Sequence, residues 1–268
     1  MPIEMQTNRT TSASFHATPL APSYRAKPWG RRDGLPAPAE AQPLGELVFD
    51  AAATGLVVKW LQTSAPLSVQ AHPRGAGRKH EWWYVAEARP GAYLHLGLTA
   101  PAGAEEIARA ARDGSLPGML RRIVPVPGDT FFIESGTIHA LGPGLTVVEV
   151  QEPSDVTYRL YDYGRPRELH LDQALAEAVL EPRPVPPMPG PGAPFRVALE
   201  RLAPGGRRML QAARACIAVV EGSGSLGERP YRPQQCWEVA GALPLRASAP
   251  SLLIVAEPGG NDNGRAGE

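Results

Sequence analysis

Proline and glycine punctuate this chain throughout, with 30 prolines and 28 glycines among 268 residues. Proline continues neither a helix interior nor a central strand, and glycine marks turns, so most elements must be short. The segments between them are rich in β-branched and aromatic residues: "ELVFD" (46–50), "LVVKWL" (56–61), "LSVQAH" (67–72), "EWWYVA" (81–86), "AYLHLGL" (92–98), "RIVPV" (122–126), "TFFIE" (130–134), "LTVVEVQ" (145–151) and "VTYRLYDY" (156–163). Many short strands with frequent turns predict a mainly β fold, a sandwich or a barrel. Two helical stretches interrupt them, 102–114 and 170–180, the second with Leu171, Leu175 and Val179 on one stripe.

The strongest boundary is "EPRPVPPMPGPGAP" (181–194). It divides the chain into a first β-rich block, 21–180, and a second, smaller one, 195–257, which contains no histidine. Residues 1–20, rich in Thr, Ser and Ala, read as an unstructured arm, and 258–268 as a frayed tail. Lysine plus arginine balance aspartate plus glutamate at 27 each, so no overall field favours nucleic acid or an anionic membrane. Without a leader-like apolar run or a membrane-length stretch, the expectation is a soluble cytoplasmic protein. The "NRT" at Asn8 then carries no weight, and Cys216 and Cys236 are expected as buried thiols.

The chemistry centres on "SVQAHP" (68–73) and "GTIHA" (136–140). Gln70 and His72 are two apart on a strand and leave the same face. A glycine-rich turn then leads into "EWWYVA", the layout of an antiparallel hairpin that would set Glu81 opposite His72 or one place along. A lone histidine in an apolar strand is usually a hydrogen-bonded core residue, and His95 and His170 are read that way. Gln70, His72, Glu81 and His139 taken together point instead to a metal site with nitrogen and oxygen donors, a set that zinc accepts with a position left open. In "VVEVQEPSDVTYRLYDYGR" (147–165), Glu149 and Gln151 share a face, as do Thr157, Arg159 and Tyr161. With Arg165 and Lys79, Arg159 makes three cations around the pocket, which suits a phosphorylated substrate.

The blocks "LSVQAHP", "KHEWWY", "GTIHALGPG" and "VVEVQEPSDVTYRLYDYGR" resemble those of type I mannose-6-phosphate isomerases, the cupin-type zinc enzymes. The resemblance covers roughly residues 24–180. It implies a bicupin, two jelly-roll barrels with a few short helices, and one zinc ion per chain held by His72, Glu81 and His139, with Gln70 a ligand in some branches. It implies catalytic work by Arg159 and by Glu149 or Lys79, with Ser68 and Arg165 at the substrate or its phosphate. The implied reaction interconverts mannose 6-phosphate and fructose 6-phosphate through a cis-enediol. The family often has "KTE" where this chain has "KHE", with His80 in place of threonine. Two rival readings are a non-haem iron cupin oxygenase and a sugar-binding cupin without turnover.

Overall fold

The structure is a computed structural model that describes residues 15–35 and 37–259. The chain begins with β1 (Phe15–Pro19), β2 (Ser23–Arg31), β3 (Leu44–Ala51), β4 (Leu56–Gln62), β5 (Val69–Ala71), β6 (Glu81–Ala88) and β7 (Leu94–Leu98). Helix α1 (Ala104–Asp113) precedes β8 (Leu120–Ile123), β9 (Thr130–Ile133), β10 (His139–Leu141), β11 (Leu145–Gln151), β12 (Tyr158–Tyr161) and α2 (Leu171–Glu177). Beyond the proline-rich stretch come β13 (Phe195–Leu202), β14 (Arg207–Glu221), β15 (Gly224–Leu226), β16 (Arg229–Tyr231), β17 (Cys236–Ala247) and β18 (Ser251–Pro258).

The fold is mainly β, as the punctuation predicts. Three sheets stack. A five-stranded sheet runs β12-β5-β10-β7-β8, a six-stranded sheet runs β2-β3-β4-β11-β6-β9, and a seven-stranded sheet runs β13-β18-β14-β17-β15-β16 with β1 also on β17. The six-stranded sheet is covered on both faces. One face meets the five-stranded sheet through Trp83, Val85, Leu94 and Leu96. The other meets the seven-stranded sheet through Phe49, Trp60, Trp82, Phe195 and Ile254. Burial on both faces explains why "EWWYV" is apolar without alternation: Trp82 fills one core and Trp83 the other.

Helices α1 and α2 close the outer face of the five-stranded sheet, packing Ile107, Ala110, Ala111 and Ala174 onto Val69, Ala140 and Leu160. Helix α1 carries Glu105 and Glu106 in its first turn and Arg112 in its last, charges that complement the helix dipole. Helix α2 stops at Glu177, so Val179 leaves the expected stripe and donates its N–H to the Gly136 carbonyl instead.

Four expectations need correction. Residues 15–19, expected within the arm, form β1 and pair with β17, because the edge of that long strand offers unpaired backbone groups. The rest of the arm, 1–14, and the tail from 260 lie outside the described residues. The segments "CWEVAG" (236–241) and "LPLRA" (243–247), which the sequence presents as separate β segments of the second block, are one strand, β17, in spite of Pro244. The hairpin expected between 67–72 and 81–86 does not form. Strand β5 is already flanked by β10 and β12, and β6 by β11 and β9, so residues 73–80 cross from one sheet to the other. The fourth concerns Tyr161, treated with the site. The stretch 181–194 contains no helix or strand, yet it is anchored: Pro186 accepts the Phe132 N–H at 2.7 Å and Pro187 accepts Trp82 Nε1 at 2.9 Å.

Candidate metal centre and pocket

The cleft between the five- and six-stranded sheets has a cavity volume of about 420 Å³, within the usual range for a small-molecule site. Each sheet presents one cross-strand row to it. On the five-stranded sheet Gln70 stands opposite His139 on one side and Arg159 on the other. On the six-stranded sheet Glu149 stands between Lys59 and Trp83. Directly opposed residues share a face, so each row points into the cleft as a unit.

His72, Glu81 and His139 offer donor atoms within 4.8 Å of one another, all buried. His72 Nε2 lies 3.0 Å from Glu81 Oε1, and His139 Nε2 lies 3.7 Å from Glu81 Oε2. His72 Nδ1 contacts the Val156 carbonyl at 3.0 Å, and His139 Nδ1 contacts the Thr137 carbonyl at 2.8 Å. A carbonyl only accepts, so each Nδ1 carries the hydrogen and each Nε2 presents its lone pair to the cluster. This is the arrangement that orients histidine ligands. His72 Nε2 and Glu81 Oε2 have no hydrogen-bond partner. Buried polar atoms without partners are costly, and a divalent ion would satisfy both. The residues therefore fit a three-donor metal site with room for a further ligand.

The electrostatics agree. Burial pushes His72 down to about 4 and lowers His139, so both rings are neutral and able to ligate at neutral pH. Burial favours protonated Glu81, but the Lys79 ammonium outweighs it and holds the carboxyl well below its ordinary range. Lys79 Nζ sits 2.9 Å from Glu81 Oε1.

Backbone constraints bring the two histidines together. Gly136 has φ of +85°, and a Cβ there would lie 2.7 Å from the Glu177 carbonyl and 2.8 Å from the Arg74 side chain. Its N–H donates to the His72 carbonyl at 2.8 Å. The turn before His139 is thus tied to His72 at the end of β5, at a point where only glycine fits.

The other site residues distribute unevenly. Ser68, Gln70, Lys79, Glu149 and Arg159 line the cleft. Gln70 places Nε2 3.3 Å from His139 Nε2, while its Oε1 accepts from Ser68 Oγ at 3.2 Å. Arg159 forms no ion pair among the described residues. One of its Nη groups donates to the Glu168 carbonyl, and its Nε is buried without a partner. Arg165 does not line the cleft. It is held by Asp162 at 2.9 Å and by the Pro66 carbonyl, while Arg167, itself paired with Asp162 at 2.6 Å, stands in the wall instead. Tyr161 does not share the face of Thr157 and Arg159. A register shift between Arg159 and Tyr161 turns it onto the helical layer.

Sequence reasoning missed Lys59, whose Nζ lies 3.1 Å from Glu149 Oε1 and donates to Gln151 Oε1. The signal was a lysine in an otherwise apolar strand, "LVVKWL". It also missed Arg25, Lys27 and Glu46, which meet at one side of the cleft. His170, expected in the core, is partly exposed. Its Nδ1 accepts the Arg159 N–H and its N–H donates to the Arg159 carbonyl, bracing that residue's backbone. His95 is buried as expected. Cys216 and Cys236 are buried free thiols.

No family model matches the chain. It is 41% identical over 135 residues to the probable mannose-6-phosphate isomerase GmuF of Bacillus subtilis, covering 45% of this chain and 42% of that protein. It is 30% identical over 213 residues to the mannose-6-phosphate isomerase of Streptococcus mutans, covering 74% of this chain and 59% of that protein. The chain is a relative of the mannose-6-phosphate isomerases. Its alignment spans about half the length of these curated relatives. The crystal structure of the mannose 6-phosphate isomerase from Bacillus subtilis superimposes with a TM-score of 0.77 at 24% identity, covering 90% of this chain and 99% of that one. A zinc-bound mannose 6-phosphate isomerase superimposes at 0.69 with 16% identity, over 91% of this chain and 99% of the other. The fold is therefore common to the isomerases.

Proposed function

We propose that the chain is a zinc-dependent mannose-6-phosphate isomerase, with one ion held by His72, Glu81 and His139. The observation that carries the proposal is that cluster of two neutral imidazoles and a carboxylate, with His72 Nε2 and Glu81 Oε2 lacking hydrogen-bond partners, in a cleft lined by cations. The relatives' names and the zinc-bound neighbour support the choice of reaction and metal. The layered sheets are read as a metal-bearing jelly roll over 21–180, a tethered stretch 181–194 and a smaller jelly roll over 195–257.

When bound, zinc supplies polarisation of the sugar's carbonyl oxygen. The chain's own residues do the rest. Glu149 takes the C2 proton and returns it to C1, while a hydroxyl proton passes from O2 to O1. Burial and the Glu81 charge raise the Glu149 pKa, against Lys59, which suits a group that must hold a proton briefly. Lys79, already committed to Glu81, is the less available base. Arg159 keeps its charge at any working pH and lines the cleft, where its guanidinium meets an enediolate or phosphate oxygen. Ser68 binds the sugar beside Gln70, and Arg167 rather than Arg165 adds a cation to the wall. The substrate is a small phosphosugar. No helix among the described residues is long and apolar enough to cross a membrane.

The test is a coupled assay of the purified protein with mannose 6-phosphate, before and after chelation and zinc repletion. Turnover lost on chelation and restored by zinc is expected. Bound iron with oxygen uptake, or sugar binding without turnover, would replace the reading with one of its rivals.

A further inference from the structure

Glu81 is the first residue of β6, and its pairing with Gln151 is the last rung of the β6–β11 ladder. A residue at the end of a strand frays unless something closes the ladder beyond it. Here Glu152 does so. Its carboxylate accepts the His80 N–H at 3.1 Å, contacts His80 Nδ1 at 2.7 Å and accepts Arg78 Nε at 3.1 Å. Its own N–H donates to the His80 carbonyl at 3.3 Å. The His80 ring stacks on Phe132, with centroids 5.8 Å apart and planes 13° apart. The intervening Lys79 N–H donates to Ser135 Oγ at 3.0 Å. The three residues before Glu81 are thus pinned from two sides.

We propose that Glu152 and His80 are positioning residues. They fix the start of β6 so that the Glu81 carboxylate and the Lys79 ammonium are aimed into the cleft. Neither lines it. The inference rests on the reading of Glu81 as a metal ligand and concerns how that ligand is oriented.

The experiment compares Glu152→Ala, Glu152→Gln and His80→Ala with the parent protein. Zinc affinity is measured by competition with a chromogenic chelator, kcat and KM by the coupled assay, and folding by thermal denaturation. Outer partners of metal ligands typically contribute 10–100-fold in affinity or activity. Glu152→Ala is expected to weaken zinc at least about tenfold and to lower kcat at saturating zinc, with KM within about twofold. Glu152→Gln keeps one acceptor for the His80 N–H and should recover part of both. Unchanged zinc affinity in Glu152→Ala, or a kcat loss matching only the unfolded fraction, overturns the proposal. Zinc affinity is read without substrate. If the parent protein binds zinc but turns over no mannose 6-phosphate, the functional reading fails while the positioning role is still decided.

Discussion

His72 Nε2 and Glu81 Oε1 lie 3.0 Å apart although His72 directly follows β5 of the five-stranded sheet and Glu81 opens β6 of the six-stranded one. The proposed metal site is therefore a clasp between two layers, with two donors from the five-stranded side and one from the six-stranded side. Removing either histidine leaves too few donors for a tight site. His72→Ala and His139→Ala are expected to lose both zinc and turnover. Full zinc occupancy by metal analysis, with near-normal kcat, in either variant would falsify the assignment.

Arg159→Ala should keep its zinc and its melting temperature, because Arg159 forms no ion pair among the described residues. Loss of one preorganised donor to developing oxyanion charge costs about 10²–10³ in kcat. Arg159→Lys should restore only part, since a point charge does not reproduce the planar fork. A fall in kcat with steady KM marks action in the transition state, and a rise in KM marks phosphate binding. Normal kinetics together with a lowered melting temperature would reduce the residue to a brace.

Lys59→Met leaves Glu149 buried without its nearest cation. Breaking such a buried pair costs up to about 3–5 kcal/mol, less where the carboxyl takes up a proton. The Glu149 pKa, already raised, should move further up. More of it is then protonated at neutral pH, so the acid limb of the kcat/KM profile should shift to higher pH. A profile superimposable on that of the parent would remove Glu149 from the proton path.

Glu87 is held at about 2 although burial opposes this, because Arg31, Arg89 and Thr146 bond its carboxylate. Its folded pKa lies below the ordinary value of 4.5, so the folded state binds fewer protons there. The stabilisation is complete above about pH 4.5 and is lost as pH falls towards 2. Urea denaturation from pH 6 to 3 should show the midpoint falling, and Glu87→Gln should flatten that fall. An equally steep fall in the variant would assign the acid sensitivity elsewhere.

Ending the chain after Pro189 would strip Phe195, Ile254 and their neighbours from Phe49, Trp60 and Trp82. Exposing that face should make the truncated protein insoluble or much less stable, even with its metal ligands intact. A soluble, active fragment would show the seven-stranded sheet to be dispensable.

The sequence by itself determined the mainly β class and most strands of the first block, and it singled out His72, Glu81 and His139, the cluster proposed to hold the metal. These depend on local properties: a period of two, turn residues, and side-chain chemistry at short spacing. It misjudged what depends on partners distant along the chain. The step from β5 to β6 reads as a hairpin because the turn signal is local, whereas both strands are already saturated by others. Tyr161 shares a face with Arg159 on an ideal strand, and a bulge that no local residue announces turns it away. Lys59 shows its purpose only once β11 lies beside β4 and brings Glu149 to it. The sequence reading picked Arg165 over Arg167, whereas Asp162 pairs with both and the Pro66 carbonyl, distant along the chain, holds Arg165 away from the cleft. Side-chain pairing across strands and between layers is a property of register and stacking, which the hydrophobic burial of whole sheets sets and no short segment encodes.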